Sequence, residues 1–140
     1  MRLRLTAAMI GMAALAAAIP TMADAASRTV TAAEGSSLQL ILDEASPGDV
    51  ITLEAGEYAA PIVIDKAVTL AGEPGAAIVG DGKGSVVTIT APDAAVRNLS
   101  ISGSGTDLAA LDSGVFAAKT ATAAVIEGNT ITGNLFGVYL

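Results

Sequence analysis

Apolar and polar positions follow two different periods along this chain, and the change of period divides it. Apolar residues at Leu38, Ile41, Leu42 and Ala45 have the i, i+3, i+4, i+7 spacing of one buried helical face. Ser36, with Gln39 three positions on, is a capping-box pattern, and Pro47 closes the segment. The spacing predicts a short amphipathic helix over 37–45. Beyond Pro47 the period becomes two. Residues 50–53, 62–64, 68–70, 86–89, 99–101 and 130–132 are short runs rich in Val, Ile and Leu that mostly alternate with Thr or Ser. Turn formers separate them: Glu73-Pro74-Gly75, Gly80-Asp81-Gly82, Ala91-Pro92-Asp93, Gly103-Ser104-Gly105 and Glu127-Gly128-Asn129.

Internal similarity narrows the all-β choices. Residues 96–103 align with 126–133 at an offset of 30, Gly114-Val115-Phe116 with Gly137-Val138-Tyr139 at 23, and 68–70 with 87–89 at 19. Unequal offsets suit a parallel β-helix, whose corner loops vary in length while its strands stack about 4.8 Å apart. The helix would lid the first coil, because an uncovered strand edge invites aggregation. In the stretch SPGDVITLEAGEY, Pro47-Gly48-Asp49 turns the chain out of the lid and Gly56 permits a corner. Tyr58 fills the space where coil and lid meet. After Tyr139 no closing element is legible, which suggests an amino-terminal piece of a longer solenoid.

The first residues stand apart. Met1-Arg2-Leu3-Arg4 is basic, 5–19 is uncharged and apolar, and Ala23-Asp24-Ala25 is a processing pattern, so residues 1–25 read as a secretory leader. The expected organisation is leader 1–25, strand and capping helix 26–46, and coils 47–140. Of seven basic and fourteen acidic residues, cleavage removes Arg2, Arg4 and Asp24, leaving five and thirteen. Such an acidic chain argues against nucleic acid and anionic lipid, and no membrane insertion is expected after cleavage. With the leader go all four methionines (Met1, Met9, Met12, Met22), and the sequence holds no Cys or His.

Candidate chemistry is sparse. Gly80-Asp81-Gly82-Lys83-Gly84-Ser85 has the composition of a phosphate loop, but Gly follows Lys83 where Ser or Thr is needed, so a strand corner is the better reading. Asp81, Asp107, Asp112 and Glu127 would make a calcium site only by converging, and they lack a liganding spacing. Arg97, Lys119 or Lys66 could act as a lyase base, yet no two basic residues of the exported chain lie closer than 14 positions. Asn98 and Asn129 fall at corners, where asparagine accepts left-handed backbone; Asn98-Leu99-Ser100 is also a sequon. No catalytic, cofactor or metal residue is assigned, and the outward positions Thr52, Thr69, Thr88, Ser100 and Thr130 offer no aromatic platform.

Those segments, with PIVIDKAVTLAGE and especially LDSGVFAAKTATAAVIEGNTITGNLFGVYL, resemble the amino-terminal portion of the NosD family of periplasmic nitrous-oxide reductase maturation proteins. The resemblance implies a right-handed parallel β-helix in the periplasm and a non-enzymatic accessory role. It implies partners as well: the ATPase and membrane subunits of an ABC transporter, a copper chaperone, and nitrous-oxide reductase, whose copper cluster is being assembled. The exported piece lacks the Cys, Met and His that soft copper sites use, so no copper ligand is expected in it. The alternative on the same fold is a secreted polysaccharide lyase, hydrolase or epimerase.

Overall fold

A computed structural model describes residues 25–140; the leader predicted over 1–25 lies almost wholly outside them. A strand, β1 (Ser27–Val30), leads through a 3-10 segment (Ala32–Ser37) into α1 (Leu38–Glu44). Four coils of three strands follow. They are β2 (Val50–Leu53), β3 (Gly56–Ala59) and β4 (Ile62–Ile64); β5 (Thr69–Gly72), β6 (Ala76–Val79) and β7 (Val87–Ile89); β8 (Ala95–Arg97), β9 (Ser100–Ser102) and β10 (Ser113–Ala117); then β11 (Val125–Glu127), β12 (Thr130–Ile131) and β13 (Phe136–Tyr139).

All pairings join strands of successive coils, and all are parallel, so the expected solenoid forms. The first face runs β1-β2-β5-β8-β11, the second β3-β6-β9-β12 and the third β4-β7-β10-β13. Inward side chains stack in ladders: Ile51, Leu70, Val96 and Ile126; Tyr58, Ile78, Ile101 and Ile131; Ile62, Val87, Val115 and Val138. Most outward positions between these rungs are partly or fully exposed, as the period of two requires, with Ala95 and Gly114 buried.

Two of the three sequence offsets are true registers. Val96 pairs with Ile126, and Val115 with Val138. The offset of 19 between 68–70 and 87–89 is corrected: Thr69 stacks between Val50 and Ala95, whereas Val87 belongs to the third face. Similar Val-Thr runs on different faces mimic a repeat.

The lid forms a layer of its own. β1 extends the first face, the 3-10 segment lies against β3, and α1 lies against β4. Leu38, Ile41 and Leu42 are buried on the coil interior, the apolar face that the helical spacing indicated. The predicted capping box does not hold. The N-cap is Ser37, without a side-chain cap bond, and the Ser36 side chain falls outside those described. Gln39 turns to the coil instead. Its Nε2 donates to the Val63 carbonyl at 3.1 Å, while Val63 N donates to Oε1 at 2.7 Å. A primary amide thus satisfies the edge of β4 as a neighbouring strand would.

Tyr58 is the lowest rung of its ladder, where the layer beneath is lid and not strand. Its ring is 1 % exposed, and its hydroxyl lies 2.9 Å from the Val30 carbonyl and 2.8 Å from that of Glu54. Burial, reinforced by Glu54, Glu73 and Glu34, pushes its pKa up. Gly56 opens β3 at φ +142, and a Cβ there would stand 2.5 Å from that of Ala32, so only glycine lets the lid close.

Candidate functional site: a loop ridge and an aromatic column

The corner between the second and third faces varies most. It has two residues in the first coil (60–61), seven in the second (80–86), ten in the third (103–112) and four in the last (132–135). The longest insertions fall at this corner and make a ridge along the stack, the part of such a scaffold where partner contacts are carried.

The ridge is tied together. Gly82 N donates to the Gly103 carbonyl at 3.0 Å and Gly105 N to that of Gly84 at 2.8 Å, binding one loop to the next. Gly80 and Gly103 pack so closely that a Cβ on Gly80 would lie 2.1 Å from the Gly103 carbonyl oxygen. The glycines of 80–85 therefore serve loop stacking, as the corner reading requires. Ser104 is buried; its N–H donates to Asn134 Oδ1 at 3.0 Å, and its Oγ accepts from Leu135 N at 2.9 Å. Asp107 accepts from Ala109 N and Ala110 N, and Asp112, 4 % exposed, accepts from Asp107 N at 2.9 Å. Leu108, at the tip, stands in solvent.

The hypothetical calcium quartet does not assemble. Asp81 and Asp107 are exposed on adjacent loops, Asp112 is turned inward, and Glu127 sits on the first face against Arg97 at 2.8 Å. Among the described residues no three metal-ligating side chains come together. Two of the three suggested bases are engaged: Arg97 with Glu127, and Lys66 with the carbonyls of Leu42 and Asp43. The asparagines hold coils together. Asn98 has φ +55, and Asn129 accepts from Leu99 N at 3.0 Å while donating to Val96 O at 2.9 Å.

One feature escaped the sequence reading. Beside the ridge, Phe116 and Tyr139 are register partners on the outer side of the third face, above Thr88 and Val63. Their rings stack with centroids 5.6 Å apart and planes 2° apart, and Phe136 leans on Tyr139 at 6.2 Å. Three of the four aromatic side chains thus cluster, with Phe116 and Tyr139 at outward positions other than the Thr and Ser positions named above. The repeated Gly-Val-aromatic triplets carried the signal.

The described residues define a class: a lidded parallel β-solenoid with one elaborated corner. Over 89 residues, 64 % of its length, the chain is 42 % identical to the Pseudomonas aeruginosa protein named "Probable ABC transporter binding protein NosD". A protein of the same name from Stutzerimonas stutzeri is 41 % identical over 88 residues, or 63 % of this chain. The chain resembles NosD proteins, then, as its motifs indicated. The matched stretches span 21 % and 20 % of those relatives. No family model and no solved structure matches the chain.

Proposed function

We propose that this chain is the lidded part of an exported accessory protein that serves an ABC transporter, and that the assembly it supports is the copper centre of nitrous-oxide reductase. The carrying observation is the similarity to two proteins whose names describe transporter binding, on a fold that presents surface. The loop ridge and the aromatic column are the contact region of choice. Their backbone is already ordered by inter-coil hydrogen bonds, so docking there costs little conformational entropy. The copper chaperone and the reductase are partners in this reading, and the periplasm is its compartment.

Soft cuprous sites draw on Cys, Met and His, and the chain beyond residue 25 has none of them. The proposed role of these coils is to hold and orient partners. A polysaccharide-acting role gains nothing from Arg97 and Lys66, both of which are engaged.

The test is genetic and chemical. Deleting the gene in its host is expected to leave nitrous-oxide reductase translated and exported but short of copper. Phe116→Ala with Tyr139→Ala should reproduce part of the loss and weaken co-purification of the transporter membrane subunit. A reductase with full copper content in the deletion strain would overturn the reading.

A further inference from the structure

Two independent observations meet at Ala26. Ala23-Asp24-Ala25 marks the bond between Ala25 and Ala26 as the processing site. In the folded chain, Ala26 N donates to Asp49 Oδ1 at 2.9 Å, and the Ala26 carbonyl accepts from Val50 N at 2.9 Å. β1 begins at the next residue, so the marked bond is the last one outside the stack. Asp49 is held ready: its other oxygen accepts from Ser46 N at 2.8 Å across the Pro47-Gly48 turn. These hydrogen bonds keep its carboxyl below the usual range.

We propose that Asp49 is the receptor for the α-ammonium group that cleavage creates on Ala26, so that processing itself fastens β1 to the turn that opens the first coil. Hydrolysis breaks the Ala25–Ala26 C–N bond; water supplies oxygen to the Ala25 carboxylate, and its protons complete the ammonium on Ala26. A neutral amide contact becomes an ion pair at the same place, and charge-assisted bonds are the stronger kind. Glu44 and Arg28 line the shallow pocket of about 190 Å³ beside Ala26. Arg28 is drawn off by Glu34 and Glu44, at 3.9 and 4.0 Å. The inference rests on the predicted leader and is independent of any copper role.

The whole chain, exported with its own leader, provides the test. The mass of the exported product should correspond to a chain beginning at Ala26. Inserting Gly-Ser between Ala25 and Ala26 keeps the processing pattern but moves the ammonium two residues away. Asp49→Asn should lower the melting temperature of the Ala26-first protein by about 3 °C more than that of the inserted protein. If D49N does not accumulate, the two unsubstituted forms suffice. The Ala26-first form should melt higher, and about 1 M salt should narrow the gap. A product beginning elsewhere overturns the site assignment. Equal D49N shifts in both backgrounds, or a gap indifferent to salt, overturn the receptor.

Discussion

The two ends of one ladder differ more than its residues do. Ile62, beside the lid, is 1 % exposed, whereas Val138, three coils on in the same column, is 41 % exposed. Both are aliphatic and both point inward. What separates them is a layer on the far side: α1 and the 3-10 segment close the first coil, and β11, β12 and β13 have neighbours on one side only among the described residues. Solenoid stability is a sum over adjacent layers, so a rung counts in full only when it is sandwiched.

Substitutions along the ladders can break that comparison. Tyr58→Ala should cost the most, about 4 kcal/mol in urea unfolding, because it empties the space where coil and lid meet. Tyr58→Phe should cost about 1 kcal/mol, since it removes only the hydroxyl between Val30 and Glu54. Next comes a matched pair. Ile101→Ala should lose about 3 kcal/mol, and Ile131→Ala, one coil further up the same ladder and only partly buried, about 1 kcal/mol. Equal losses would refute the layer argument.

Gln39→Ala tests the lid's polar seal. Losing both bonds to Val63 should cost about 1 kcal/mol and raise the tendency to associate, read by light scattering.

The smallest effect concerns acid. Backbone donors from Ser46 and Ala26 depress the Asp49 carboxyl, and the Thr31 amide, then its hydroxyl and Arg28, depress that of Glu34. Groups depressed in the folded state add stability above their unfolded pKa and lose it as pH falls through the folded value. Thermal melts from about pH 6 down to about pH 2 should therefore fall less steeply for Asp49→Asn combined with Glu34→Gln than for the parent. Identical slopes would show that these two carboxylates do not carry the acid dependence.

The same contrast explains what was legible in the sequence. Strands with Val, Ile and Thr in alternation, such as β2, β4 and β7, announced themselves. β3 (GEYA), β6 (AAIV) and β8 (AVR) did not, because their order comes from coils above and below and not from their own propensity. The helical face was readable from spacing alone, but the partner of Gln39 was not, since Val63 lies 24 residues away. The aromatic column was half legible, since the offset of 23 already set Phe116 against Tyr139. What spacing did not show is that both rings lie on the outer side of one face and stack, which depends on β10 and β13 being paired strands. The calcium quartet failed in the converse way: Asp81, Asp107 and Asp112 share a corner, but Asp112 turns inward and Glu127 lies on the first face.

The Gln39 amide gives the stack a direction. The lid and β1 precede every coil in the sequence. Closing the β4 edge with a side chain instead of a strand leaves nothing to template at that end of the third face, while β1 ends the first face as a strand. On that third face the one strand edge left open among the described residues is that of β13.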